Sequence, residues 1–218
     1  MFDSVNVIGA GRVGSAVAAR LAERGVALRE DAELVLLCVP DSAIAQVAAG
    51  IEPGPWIAHV SGATPLAALE PHSRRFGLHP LQTFTRSRGA EQLDGAWGAV
   101  SAESDAARAH GYALAELLGL RPFDLDDGGR RLYHAGAVFA SNYVVTLFRA
   151  ASRLVELAGA PPEALVPLMT RTIENDFELT GPISRGDWST VEAHLEAIRA
   201  AAPELEPLYA TLAEATRP

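Results

Sequence analysis

The 218-residue chain contains no lysine, so all 18 of its basic residues are arginines. That absence excludes a Schiff-base lysine, a phosphate-loop lysine and a lysine proton donor, because each needs a side-chain amine. Cysteine is almost as scarce. Cys38 stands alone inside Leu34-Val35-Leu36-Leu37-Cys38-Val39, which rules out an intramolecular disulfide or a cysteine metal cluster and predicts a buried strand thiol. Positive charge is also in deficit. A formal net charge of −9 argues against a broad electrostatic grip on nucleic acid or an anionic membrane. No apolar run approaches the ~18 residues of a membrane span, and Met1-Phe2-Asp3-Ser4 carries no basic stretch, so a cytoplasmic protein is expected. His59, His79 and His134 lack metal-ligand spacing, and no metal is expected. What remains is ordinary globular composition, 49% hydrophobic and 21% charged, long enough for one large domain or two small ones.

Glycine, by contrast, is concentrated at one telling place. Val5-Asn6-Val7-Ile8 reads as a strand and is followed at once by Gly9-Ala10-Gly11-Arg12-Val13-Gly14, after which Val17 and Leu21 recur at helical spacing up to Gly25. In a strand, turn and helix of this kind Gly9 permits the tight turn, Gly11 lets backbone approach a pyrophosphate, and Gly14 lets the helix pack against the strand. The helix N-terminus then offers free N–H groups to an anion.

A dinucleotide fold next needs a second strand, a helix and a third strand. Val26 to Glu30 could be that second strand, with Arg29 or Glu30 near a ribose. Yet the apolar run from Glu33 to Val39 follows almost immediately, whereas a parallel crossover takes about a dozen residues. Val26 to Glu30 is therefore either a connector or an irregular sheet edge.

Further strands are expected at Trp56 to Val60, at Arg75 to Phe84, at Trp97 to Ala102 and at Arg121 to Leu125, with helices from Ser42 to Ala49 and from Ser104 to Leu118. Ligands bind beyond the carboxyl ends of parallel strands, so Val39-Pro40, Ser61 and His79 should border one crevice. His59 and His79 are the natural proton donors there, being the side chains that titrate near neutrality. His72, His110 and His194 lie in turn or helix-surface patterns and are expected to face solvent.

Asp126-Asp127-Gly128-Gly129 breaks the chain, and a helical pattern then runs from Arg130 to Ala158. Its apolar residues cover more than one stripe, which implies burial on several sides and predicts a homodimer packed through this half. His134 and Asn142, eight residues apart on that helix, could share the edge of one cleft. Helices are also expected from Glu163 to Leu179, from near Ser189 with a Ser189-x-x-Glu192 capping box, and from Pro203 to Ala215. In the loop from Leu179 to Asp187, Arg185 could meet a substrate carboxylate in bidentate fashion or a surface acid.

Together these stretches resemble the Rossmann-like proteins that carry a C-terminal domain of unknown function called DUF2520. The resemblance is carried by Gly9-x-Gly11-Arg12-Val13-Gly14, Leu36-Leu37-Cys38-Val39-Pro40-Asp41, His59-Val60-Ser61-Gly62-Ala63, His79-Pro80-Leu81, Tyr133-His134-Ala135 with Ala140-Ser141-Asn142, and Leu179 to Asp187. It implies kinship with pyrroline-5-carboxylate reductase, ketopantoate reductase and prephenate dehydrogenase. The expected fold is α/β, a Rossmann-like parallel sheet shortened after its first βα unit (1–125) followed by an all-α substrate and dimerisation domain (130–218).

The function implied is NADP- or NAD-dependent reduction, with NADP preferred, of a small carboxylate-bearing C=O or C=N substrate. His79 or His59 would supply the proton, Ser61 and Asn142 orientation, and His134 and Arg185 substrate contacts. Ketopantoate-reductase-like enzymes carry a lysine four residues before an asparagine on the interdomain helix, and this chain has Val138 at that offset. His79 resembles the His-Pro histidine of prephenate dehydrogenases and is the replacement. The alternative is a non-catalytic nucleotide-sensing or interaction protein that kept the fold.

Overall fold

The computed structural model describes residues 2–217, which form two compact units divided between Phe139 and Ala140. The first unit is built on a seven-stranded sheet in the order β2-β1-β3-β4-β5-β6-β7. Its strands are β1 (Ser4–Ile8), β2 (Ala27–Leu28), β3 (Leu34–Leu37), β4 (Trp56–His59), β5 (Arg75–Leu81), β6 (Trp97–Ala102) and β7 (Arg121–Asp124). The first five run parallel. β6 and β7 run the other way, because residues 82–96 return the chain to the sheet edge without a crossover helix and pair β6 antiparallel to β5.

Helices cover both faces: α1 (Arg12–Glu23) and α3 (Asp105–Leu117) on one, α2 (Ile44–Ala49) on the other. The uninterrupted apolar run of β3 follows from that double cover. Leu34 and Leu36 join Val17, Leu21, Phe76 and Leu114 in one core, while Val35 and Leu37 join Ile44, Ile57, Leu66 and Leu69 in the other. Cys38 is buried as expected, and burial pushes its thiol up to about 12.

The segment after Gly25 is both a strand and a shortcut. β2 pairs with Ser4 and Val5 only, leaving the rest of β1 without a neighbour on that edge. Residues 29–33 then reach β3 as a strap laid along β1. Asn6 donates to the Glu30 carbonyl (3.3 Å), and the Ser4 hydroxyl accepts from the Glu33 amide (3.1 Å) and from Arg29 (3.3 Å). The dozen-residue crossover is unnecessary because no helix layer has to be cleared. One consequence is that β2 ends about 10 Å short of the carboxyl edge of β1, at roughly 3.3 Å per residue.

In the second unit lie α5 (Asn142–Leu157), α6 (Leu165–Glu174), α7 (Gly181–Ser184), α8 (Trp188–Ala201) and α9 (Glu206–Ala215). The continuous helix expected from 130 to 158 is broken. α4 (Arg130–Ala140), which closes the first unit, stops at Ser141, whose backbone is not helical (φ −128, ψ −72). Within the single chain no residue of α5 is buried. α6 ends at Glu174, five residues early, because Asp176 and Phe177 adopt left-handed φ angles of 52° and 59°. The cap of α8 is Asp187 rather than Ser189, its carboxylate accepting the Thr190 amide (3.1 Å) and hydroxyl (2.7 Å). α8 and α9 are tied together by Arg199 with Glu206 (2.7 Å), His194 with Tyr209 (2.7 Å) and Arg217 over Trp188.

Candidate functional site

The turn between β1 and α1 divides its three glycines by function. Gly9 has φ +115, and a Cβ there would strike the Cys38 carbonyl. At Gly14 a Cβ would overlap the Gly9 carbonyl and reach Cys38 Cβ at 3.0 Å. These two are required by the fold. Gly11 is different: its backbone is extended (φ −74, ψ −171) and a Cβ would meet nothing within 4 Å. Gly11 is the N-cap of α1, makes no side-chain cap, and no acidic residue occupies the first turn. The amides at the start of α1 therefore have no acceptor supplied by a capping side chain or a first-turn acid.

Beside this turn is a cavity of about 290 Å³ bordered by Ala10, Gly11, Arg12 and Ser15 and, from the β5–β6 connection, Arg86 and Arg88. A phosphate group fits such surroundings by size and charge. Val13 packs on the α1-side core and Val39 on the opposite one, with Pro40 starting the turn Asp41–Ala43.

The carboxyl ends of β3, β4 and β5 bring together most of the expected polar residues. Ser61 is buried and its hydroxyl fully engaged: it donates to Asp41 (2.8 Å), lies 2.9 Å from the Thr64 hydroxyl, and accepts the amides of Ala63 and Thr64. Gly62 is then pressed against two histidines. A Cβ there would come within 2.6 Å of His134 Cδ2 and 2.9 Å of His79 Nε2, so only glycine fits. His79 shares a 2.8 Å hydrogen bond between its Nδ1 and the Tyr133 hydroxyl, and stands edge-on to the His134 ring at 5.9 Å. Both histidines are half-buried, as is Tyr133.

His59 occupies a different environment, 0% exposed. Among the described residues neither of its ring nitrogens finds a hydrogen-bond partner. Burial, reinforced by the Arg130 charge, pulls it down to about 3. Burial, with His134 and Arg130 adding to it, pulls His79 down to about 4. Both rings are neutral at pH 7. Burial pushes the Tyr133 phenol up to about 12.

The source of that positive field, Arg130, was not among the residues singled out by sequence. It is 1% exposed, with Nη1 donating to Ser101 Oγ (2.6 Å), Nη2 to the Ser61 carbonyl, and Nε 3.9 Å from Asp127. Gly77 makes the space, since a Cβ there would sit 2.8 Å from Nη1. Ser101 passes the link on to the Leu125 carbonyl (2.6 Å), and Asp127 accepts the Leu66 amide (3.0 Å). One sequence signal was available: an arginine opens a helix, where the dipole disfavours a cation. His72 also departs from expectation, being buried with Nε2 3.0 Å from the Ala48 carbonyl. Asn142 and Arg185 belong to the second unit. There Asn142 begins α5 and accepts from the Ser141 hydroxyl (3.1 Å), while Arg185 is exposed after α7. With the helix broken at Ser141, His134 and Asn142 lie on two separate helices, α4 and α5.

The two neutral histidines make the fold acid-sensitive. In an unfolded chain they take up protons as pH falls through about 6.5, whereas the folded rings wait until about 4 and 3. Protons thus favour the unfolded chain across that window. Stability should be full above pH 6.5 and decline below it, by up to about 1.4 kcal/mol per pH unit for each ring. Urea midpoints measured from pH 7 to 4.5 should show this decline, and His59→Leu should make it shallower; an unchanged slope in that variant would count against the assignment.

No functionally curated protein matches the chain. Among solved structures, a Bacteroides fragilis protein provisionally described as an NADP oxidoreductase is 25% identical, covers 97% of this chain and 96% of its own, and gives a TM-score of 0.82. TM1727 of Thermotoga maritima is 23% identical over 96% and 95% (TM-score 0.75), and a Streptomyces aurantiacus imine reductase 18% over 97% and 95% (TM-score 0.70). The latter two likenesses establish the fold, a Rossmann-like α/β sheet with a helical C-terminal part. Residues 97–216 match the family described as a domain of unknown function, DUF2520. That match spans more than half of the chain, and the protein belongs to the DUF2520 family.

Proposed function

We propose that the protein is a nicotinamide-dinucleotide-dependent oxidoreductase that reduces a small C=O or C=N compound bearing a carboxylate. The observation that carries this reading is the uncapped α1 N-terminus, where Gly11 leaves room for a ligand that Gly9 and Gly14 do not. The dinucleotide's diphosphate would lie on Ala10, Gly11, Arg12 and Val13, with Val39 and Pro40 bordering the nicotinamide end. When bound, the reduced coenzyme supplies a hydride. The chain's own residues hold and orient: Asp41 and Thr64 fix Ser61, the Ser61–Gly62 loop backs His79 and His134, and Arg130 locks that loop from beneath. Asn142 is proposed to orient the substrate and Arg185 to meet its carboxylate. His59 is a neutral ring beneath the loop rather than a charged donor.

NADPH is the proposed coenzyme over NADH. β2 ends too early for Arg29 or Glu30 to read a ribose in the usual place, whereas Arg12, Arg86 and Arg88 ring the cavity beside the glycine turn. The provisional description of the Bacteroides fragilis relative agrees with that choice. Following nicotinamide fluorescence while titrating each coenzyme tests it, with tighter binding of NADPH expected. Binding without turnover of any 2-oxo acid or cyclic imine would favour the sensing alternative, for which the shortened β2 edge is the supporting feature.

Two copies are proposed to pair through α5 and α6. Leu168, Ile173 and Phe177 are 63%, 61% and 72% exposed, and no residue of either helix is buried. A second copy covers such a surface with its own. Light scattering should report the mass of two chains, and a single-chain mass would remove the pairing.

A further inference from the structure

We propose that Tyr133 is the proton donor to the reduced substrate and that His79 is its positioning partner, donating its Nδ1 hydrogen to the phenol oxygen. The proposal rests on the reductase reading above and adds to it the identity of the acid. Three observations on one side of the first unit support it. Tyr133 and His79 are joined at 2.8 Å through Nδ1. Both are half-buried, Tyr133 on α4 against His79 on β5, whereas His59 is 0% exposed. The far side of the His79 ring is held by Gly62, which lies against Nε2, and by the crossing ring of His134.

A phenol has one proton to give. If Tyr133 spent it on His79, nothing would remain for a substrate. With the proton on Nδ1 of a neutral His79, the imidazole donates instead, and the phenolic hydrogen is free to point outward. Burial and the neighbouring Arg130 keep His79 neutral, as this arrangement requires. The Tyr133 ring is braced edge-on by Phe123 at 6.0 Å and by His79 at 5.5 Å, so its hydroxyl is presented from a fixed direction.

As hydride from the reduced dinucleotide reaches the substrate carbon, the C=O or C=N π pair moves to the heteroatom. The Tyr133 O–H bond breaks and its proton joins that oxygen or nitrogen. The phenolate left behind is held by the Nδ1–H of His79 until it takes a proton from water. The missing interdomain lysine leaves no ammonium for the task, and the structure provides a phenol instead.

The experiment has a part that needs no turnover. Histidine-¹⁵N-labelled protein is examined by long-range ¹H–¹⁵N correlation at pH 7, with Tyr133→Phe identifying the His79 signals. A neutral ring carrying its hydrogen on Nδ1 is expected. The Nε2–H tautomer, or a charged ring, overturns the proposal whatever the coenzyme does. In parallel, NADPH binding is followed by fluorescence, and its single-turnover oxidation with pyruvate and 1-pyrroline as probes. Tyr133→Phe keeps the ring packing and should bind NADPH within twofold of the parent while reducing the active probe about 100-fold more slowly, the usual weight of a general acid. His79→Ala should lose much of the rate and His79→Asn, which can still donate, should recover most of it. A Tyr133→Phe rate within threefold of the parent overturns the proposal and leaves the reductase reading intact. Failure of the parent to bind NADPH overturns the reductase reading itself.

Discussion

Replacing Arg130 by methionine is expected to destabilise the fold by about 2–4 kcal/mol, lowering the melting temperature by roughly 5–15 °C for a chain of this length. Two effects oppose each other. Removing a buried cation whose nearest carboxylate is 3.9 Å away relieves a desolvation cost, which alone could make the change neutral. Against it, Arg130 is what satisfies the Ser61 carbonyl and, with Leu125, the Ser101 hydroxyl, across elements distant in sequence. Methionine fills the stem but donates nothing, and each buried acceptor left bare costs about 1–3 kcal/mol. Gly77 adds to the loss, since the space it leaves is shaped for a guanidinium and not for a thioether. The acceptors win. The same variant should move both His79 and His59 upward, because the cation that opposes their protonation is gone. Folded and unfolded values then lie closer, so the variant should be less stable at pH 7 yet lose less between pH 6.5 and 4.5. Differential scanning calorimetry at the two pH values reads both effects. A variant as stable as the parent, with the parent's acid sensitivity, would show that Arg130 neither braces the loop nor sets the histidines.

Most of the sheet was legible in the sequence, and for identifiable reasons. β1 and β3 are short β-branched or leucine-rich runs followed closely by glycine or proline, and buried parallel strands read that way. The glycine turn was legible because Gly9 and Gly14 answer backbone requirements rather than side-chain preferences. The break at Ser141 was not, because apolar periodicity continues on both sides of it and periodicity is what defines a helix in a sequence. Residues 27–33 were ambiguous because pattern alone cannot tell a two-residue strand from a connector; the Asn6 and Ser4 hydrogen bonds that fix the strap are tertiary.

The site divides along the same line. His79, Ser61 and His134, which the structure brings close together, were legible as candidates because strand ends and polar residues in apolar surroundings are local signals. Arg130 and the burial of His72 were missed because both depend on partners far along the chain, Ser61 and Ser101 for one and Ala48 for the other. The apolar stripes of α5 and α6 were recognised, but a stripe does not say what covers it.

The turn after β1 is proposed to hold a diphosphate, and Gly11 offers a test that separates folding from binding. Its backbone is extended and its Cβ position is open, so Gly11→Asp should fold normally. Aspartate is indeed a favoured N-cap, worth a few tenths of a kcal/mol over glycine. The same carboxylate would occupy the free amides of α1 and place a negative charge where the diphosphate lies. Nicotinamide fluorescence titration of parent and Gly11→Asp is therefore the decisive measurement, run beside a melting curve. The expected result is saturable NADPH binding by the parent and at least about 100-fold weaker binding by the variant, equivalent to about 2.7 kcal/mol, with an unchanged or slightly raised melting temperature. Equal NADPH affinity in the two proteins, or no binding by the parent at millimolar concentration, would contradict it.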